Sequence, residues 1–317
     1  MDTAQPTLDE FKGHPGADGM ATQLKDIKKK LPLRVLSEED WNHWITKGFV
    51  IVRQAIPMEK VERTIDIIWR FEEKDPNDPV TWYAPQRRAH GREELNNSGM
   101  VEIYNHQYLW DNRQEPRIYN AYVDIWDRED LWVAIDRANL LPPKKTPGNE
   151  TGFIHWDVNT NLRPLPISVQ GVLSLVRQDK EIGGFQCVPE LFYNFEEWVK
   201  TQPADRNPMM PDITGMTIEN VEMGPGDLLI FNSLLAHGVR PNHSKDRVRL
   251  AQYLAMFPAR EDDEAERQER IRLWRERDHP RGGWPGDPRE WEKHNAEVAQ
   301  LTPLGERLLG LKRWHET

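Results

Sequence analysis

Apolar residues recur at helical spacing in the first third of the chain and at strand spacing in the middle. Ser37 stands three residues ahead of Asp40, in the manner of a capping box. Trp41, Trp44 and Ile45 then share one face, and Gly48 supplies a stop. A second helix is predicted over 58–73, with Val61, Ile65, Ile68 and Trp69 on one side. Residues 74–99 are polar and proline-rich, with Trp82 and Tyr83 inside them. A third helix over about 114–126 leads to a strand at Leu131–Ile135. The period then shortens. Strands are predicted near 152–158, 167–176, 184–188, 217–223, 227–232 and 248–257. An excursion over 190–216 interrupts them, with a short helix around Phe195–Lys200. From Glu261 onward the chain is charged and helical, with Trp274, Trp284 and Trp291 as expected anchors onto the core.

Strands of this number, with helices mainly before and after, fit a mainly β fold. The architecture expected is a double-stranded β-helix, a cupin-like jelly roll of two facing sheets. Residues 36–260 would form that domain and 261–317 a helical extension packed on it. Residues 1–35, with their prolines, glycines and a Lys28-Lys29-Lys30 run, read as a loosely ordered tail. The loops 74–112 and 190–216 are placed to shape and cover a pocket.

The chemistry concentrates in His155-Trp156-Asp157 and in His237, 82 residues after His155. In an extended segment residues i and i+2 point the same way, so His155 and Asp157 can reach one metal while Trp156 turns away. Two imidazoles and one carboxylate are the set that holds ferrous iron on one face and leaves other positions open. His237 follows a tight turn and an apolar strand, Met223 to Asn232. After it come a polar connection, Asn242 to Asp246, and an arginine-headed strand, Val248 to Phe257.

With these residues the chain resembles the phytanoyl-CoA dioxygenase-like branch of the Fe(II)/2-oxoglutarate-dependent oxygenases, over roughly residues 36–258. The resemblance begins with Leu36-Ser37-Glu38-Glu39-Asp40 and Lys47-Gly48-Phe49-Val50-Ile51-Val52, similar to the family's opening helix and first strand. It continues through Arg113-Gln114-Glu115-Pro116-Arg117, the HWD motif and Gly183-Gly184-Phe185-Gln186-Cys187-Val188-Pro189. It closes with the HG, RPN and DRVR segment that starts at His237. It implies that His155, Asp157 and His237 bind Fe(II), with 2-oxoglutarate and O2 as co-substrates. The arginine that pairs with the far carboxylate of 2-oxoglutarate falls, by the family's offset, on Val248. The adjoining strand favours Arg249, with Arg247 in reserve. Where the family often has Gly-Ser-His after Val-Pro, this chain has Glu190-Leu191-Phe192.

The implied reaction splits 2-oxoglutarate into succinate and CO2 and oxidises a C–H bond of a small molecule. Halogenating relatives carry a small residue in place of the carboxylate. The intact Asp157 therefore favours hydroxylation, or a related desaturation or epoxidation. Gln170, on the strand after the HxD pair, can reach the co-substrate or make a cross-sheet hydrogen bond. Asn159, Asn161, Arg163 and His106 are further candidate pocket residues, each equally readable as solvated or satisfied. Trp82, Tyr83 and Trp132 would form an aromatic wall or ordinary core. Two other classes stay open: a jelly-roll metalloenzyme without 2-oxoglutarate, which needs no arginine on the last strand, and a non-catalytic binding member, which would have lost a ligand.

Composition narrows the partners. A formal charge of −10 and a pI near 5.6 argue against nucleic acid or an anionic membrane surface, and against a highly anionic substrate such as an acyl-CoA. A single cysteine, Cys187, cannot form an intramolecular disulfide and suits a reducing cytoplasm. It reads as a small buried hydrophobe. No apolar run spans a membrane, residues 1–30 lack the apolar centre of a signal peptide, and mean hydropathy is −0.78. The substrate and the oligomeric state are not encoded in any motif.

Overall fold

The computed structural model describes residues 24–84, 99–145, 152–166, 168–281 and 286–315. The first helix, α1 (Glu38–Lys47), begins with the expected reciprocal cap. The Ser37 hydroxyl accepts from the Asp40 amide at 3.1 Å, and the Asp40 carboxylate accepts from the Ser37 amide at 2.9 Å. Gly48, at φ +79°, ends it in a left-handed turn that lacks room for a side chain beside the Phe192 ring. α2 (Met58–Glu72) buries Val61, Ile68 and Trp69 as predicted, with Ile67 and Phe71 beside them. Short α3 (Pro79–Trp82) and α4 (Gln107–Arg113) precede α5 (Pro116–Trp126), which opens on a proline where no amide donor is needed.

The principal sheet has six antiparallel strands. In spatial order they are β1 (Phe49–Val52), β8 (Leu228–Asn232), β5 (Val169–Ser174), β10 (Arg249–Tyr253), β4 (Ala138–Leu141) and β2 (Met100–Val101). A second sheet sets β6 (Gly184–Val188) between β7 (Glu219–Asn220) and β9 (Ala236–Arg240). A third pairs β3 (Leu131–Val133) with β11 (Met256–Pro258). The two faces of the principal sheet are sorted by the strand period of two. Val50, Leu173, Ile230 and Leu250 pack outward with α2, α4 and α5. Phe49, Val172, Phe231 and Ala251 pack inward against Phe185 and Cys187 of the second sheet. This is the jelly-roll arrangement expected from the sequence, with sheets that face each other without closing into a barrel.

Several boundaries differ from expectation. The strand predicted over 152–158 is reduced to a single bridge between His155 and His237. That over 217–223 shrinks to Glu219–Asn220, and that over 248–257 divides into β10 and β11 of different sheets. β4 and β9 carry Asn139 and Gly238, residues that weaken a strand reading, and are strands because neighbours on both sides hold them. Residues 24–35 are docked, unlike the loose tail expected of 1–35. Asp127 accepts the amides of Lys30 and Leu31, Asp124 those of Arg34, Val35 and Leu36, and Leu24 is fully buried. Residues 1–23 lie outside the described part.

The 190–216 excursion forms α6 (Pro189–Tyr193) and α7 (Phe195–Lys200), with Leu191 and Phe192 buried where the family often places a small turn. The C-terminal helices α8 (Glu264–Glu276), α9 (Trp291–Asn295) and α10 (Pro303–Leu309) lie against the outer core. Arg270 spans α8 to α10 by donating to the carbonyls of Leu308, Leu309 and Val133. Trp274 and Trp291 are partly buried there, while Trp284 lies outside the described residues. Among the described residues no helix is long and apolar enough to cross a membrane.

Candidate metal centre

His155 is brought beside His237 because their main chains are paired directly. His155 N donates to His237 O at 2.8 Å, and His237 N donates to His155 O at 2.9 Å. The approach depends on Gly238, where a Cβ would lie 1.9 Å from the carbonyl oxygen of Phe153. The pairing sets the two imidazole rings side by side, with centroids 4.8 Å apart. Trp156 turns away as predicted. It is fully buried, donates its indole N–H to Leu234 O at 2.8 Å, and meets Phe195 and Trp198 edge-on. The excursion thus serves as a buttress behind the HxD turn, and Trp156 N also donates to Met209 O.

Asp157 comes back to the same side as His155. His155 Nε2 lies 3.1 Å from Asp157 Oδ1, and His237 Nε2 lies 3.2 Å from Asp157 Oδ2. One ligand atom from each of the three residues falls within 4.8 Å of the others. His237 Nδ1 is 2.9 Å from Leu235 O, a contact that orients the ring with Nε2 toward Asp157. Phe185 stacks parallel to the His237 ring and Phe231 closes against it, so this ligand is held in place by packing. His155 Nδ1 is buried without a hydrogen-bond partner among the described residues, so its orientation rests on the strand pairing. Enclosure alone would raise the Asp157 carboxyl, but the two imidazoles beside it hold it well below the usual carboxylate range. The Asp157 side chain is 37 % exposed and that of His237 only 8 %, so the cluster is backed by protein and open on one side. Two nitrogens and one carboxylate converging with an open face fit ferrous iron with positions left for other ligands.

Gln170 donates to Asp157 Oδ2 at 2.5 Å. Through this contact its amide orients the carboxylate. Arg249 heads β10 and is 2 % exposed. Its Nε donates to Gln178 Oε1 at 3.0 Å and its Nη1 to Asn139 Oδ1 at 2.6 Å, both neutral amides. Among the described residues no carboxylate lies within ion-pair distance of it. Alternation along β10, with Leu250 outward and Ala251 inward, sets Arg249 on the inner face. Gln178 fits there because Gly184 faces it, where a Cβ would fall 2.5 Å from Gln178 Oε1. Asn139 and Gln178 escaped sequence reading, although an asparagine inside the buried run Ala-Asn-Leu-Leu was a usable signal.

Arg247, the reserve for the co-substrate carboxylate, is engaged with other carboxylates. It precedes β10 at the surface and is paired with Asp179 at 2.8 Å and Glu181 at 2.9 Å. His106 caps α4, its Nδ1 accepting from Tyr108 N, and burial lowers its pKa to about 4. Asn159 accepts the Asn161 amide in a turn, and Arg163 donates to the carbonyls of Thr160 and Leu162. Trp82 packs on Trp69, Tyr83 donates to Pro143 O, and Trp132 lies under Arg270. None of these reaches the metal cluster through a described contact. Cys187 is a buried thiol whose pKa burial pushes up, the inert small hydrophobe expected.

Known proteins share this layout. Ava biosynthesis cluster protein O of Aspergillus versicolor is 25 % identical over 252 residues, covering 70 % of this chain and 78 % of that protein. The hypothetical protein JW0805 of Escherichia coli superposes with a TM-score of 0.62 at 15 % identity, over 87 % of this chain and 82 % of that one. The epimerase SnoN, crystallised with Fe3+, alpha ketoglutarate and nogalamycin RO, superposes with a TM-score of 0.50 at 16 % identity, over 70 % of this chain and 83 % of that one. The model of the phytanoyl-CoA dioxygenase (PhyH) family matches residues 44–251, a span that holds all three candidate ligands and Arg249, and the chain belongs to that family.

Proposed function

We propose that this protein, an iron- and 2-oxoglutarate-dependent oxygenase by family, oxidises an aliphatic C–H bond of a small molecule, with hydroxylation as the principal outcome. The observation that carries the reading is Arg249. A guanidinium that is 2 % exposed and, among the described residues, hydrogen-bonded only to Gln178 and Asn139 has no anionic partner there. Burying an unpaired charge is costly, so such a group is suited to receive an anion. The planar donor fork matches a carboxylate bidentately. On the inner face shared with the metal cluster, that anion is the distal carboxylate of 2-oxoglutarate.

When bound, iron with 2-oxoglutarate supplies the activation of O2 and the oxidising equivalents that the side chains lack. The protein does the rest by position. His155, Asp157 and His237 would hold the ion from the side backed by protein. Gln170 holds Asp157 so that one carboxylate oxygen stays directed to the metal. Arg249, backed by Gln178 and Asn139, selects a dicarboxylate over a monocarboxylate and sets its direction. Because Asp157 occupies the position that a halide would need, the substrate carbon is expected to receive oxygen, or to lose a second hydrogen.

The test is succinate release with Fe(II) and 2-oxoglutarate across a panel of apolar and oxygenated small molecules. Stimulation above the substrate-free rate, abolished in Arg249→Leu, is expected. Turnover of a panel member that proceeds without 2-oxoglutarate would overturn the reading.

A further inference from the structure

The inner face of β10 continues past Arg249. Ala251 belongs to the inner cluster and Tyr253 packs against it, so Arg249, Ala251 and Tyr253 form one row of alternate residues. Tyr253 sits opposite Val172 of β5, and Gln170, the residue that holds Asp157, is two positions along that strand on the same face. The row therefore runs from the buried guanidinium, over a small methyl side chain, to a phenol at the end of the sheet where the metal ligands lie. At strand rise the two ends are about 13 Å apart at the backbone, and both end residues are long enough to lean toward a ligand laid over Ala251.

Tyr253 is half-buried, and its hydroxyl has no hydrogen-bond partner among the described residues. The buried tyrosines are different: Tyr104, Tyr119 and Tyr122 donate to Glu102, to Glu129 O and to Leu254 O. A phenol in an apolar wall usually finds a partner. Gln170 Nε2 is engaged with Asp157, and no hydrogen bond joins Tyr253 to Gln170 among the described residues. We infer that the Tyr253 hydroxyl donates to the metal-proximal carboxylate of 2-oxoglutarate, so that one strand face reads both ends of the five-carbon diacid. This rests on the co-substrate reading above.

The alternative source of an acceptor oxygen is the oxidised substrate, and titration with 2-oxoglutarate alone separates the two. Mn(II)-loaded wild type, Tyr253→Phe and Arg249→Leu are each titrated with 2-oxoglutarate without substrate, and Mn(II) affinity is measured alongside. Losing a hydrogen bond to a charged group should weaken binding about 10-fold or more in Tyr253→Phe, with Mn(II) affinity unchanged. A Tyr253→Phe dissociation constant equal to wild type, with Arg249→Leu strongly weakened, overturns the Tyr253 inference and assigns the phenol to the substrate. If both variants bind like wild type, the co-substrate reading itself fails. A parallel loss of Mn(II) affinity in Tyr253→Phe means that the phenol acts on the metal ligands and also overturns the inference.

Discussion

The main chains of His155 and His237 hydrogen-bond to each other in both directions, at 2.8 and 2.9 Å, so two metal ligands 82 residues apart are fixed by one rung of sheet. Gly238 permits the rung, because a Cβ there would lie 1.9 Å from Phe153 O. Gly238→Ala must move one strand off the other. We expect iron affinity to fall by about 10- to 100-fold, the range seen when supports of a ligand are lost. The melting temperature should change much less than it does for a core truncation. Equilibrium dialysis with Fe(II) or Mn(II) checks it; unchanged affinity would mean that the histidines do not need this rung.

Replacing His155, Asp157 or His237 by Ala should each remove stoichiometric iron and reduce turnover to background. The three side chains supply the converging donors, and no other group of three such residues converges among the described residues. Metal content by mass spectrometry, measured beside succinate release, decides it. Retention of wild-type iron in all three variants would falsify the site.

How much of this was legible in the chain depends on whether a signal was local. The capping box at Ser37, the HxD pair and the turning away of Trp156 are properties of two to four neighbouring residues, and each was readable. The support of His155 was not. It comes from a glycine next to a residue 82 positions away, and glycine in a strand ordinarily signals weakness. Arg247 and Arg249 share a face by parity, so sequence alone left both open. What separates them is that Asp179 and Glu181, on a different loop, claim Arg247, while among the described residues only amides meet Arg249. The docking of residues 24–35 has the same origin, since its acceptors Asp124 and Asp127 lie at the end of a helix far along the chain.

That difference between the arginines sets an affinity prediction. Arg249→Leu strands a buried carboxylate of the bound co-substrate without its charge partner, a loss of about 3–5 kcal/mol. This corresponds to roughly two to three orders of magnitude in the 2-oxoglutarate dissociation constant. Arg247→Leu removes only a surface pair, 37 % exposed on the arginine side, which contributes about 0–1 kcal/mol. Calorimetric titration of both variants measures the contrast, and equal losses would show that Arg247 acts on the site from the surface.

Product chemistry follows from Asp157. With the carboxylate in place, high chloride should give oxygenated or desaturated product and no chlorinated one. Mass spectra of products formed in chloride and in chloride-free buffer test this directly; a chlorinated main product would mean that Asp157 is not a ligand.

The last prediction concerns the seam between the C-terminal helices and the core. Glu292 on α9 is 5 % exposed and accepts the backbone amides of Tyr104 and Asn105, both at 2.7 Å. Burial raises its pKa from 4.5 to about 7, against the pull of those amides and of Arg113. A carboxyl whose folded pKa lies above its unfolded value takes up a proton on folding. Its contribution is therefore complete below about pH 4.5 and is lost as pH rises through about 7. The amount at stake is on the order of 3 kcal/mol. Glu292→Gln removes the titration but also one acceptor, so it should be less stable than wild type at pH 5, by about 1–3 kcal/mol. The deficit should then shrink as the pH rises to 8, because wild type alone pays for the buried charge. Urea unfolding of both proteins at several pH values gives the difference, in which all other titrating groups cancel. A deficit that stays constant from pH 5 to 8 would mean that Glu292 is ionised throughout, with the amides and Arg113 outweighing its burial.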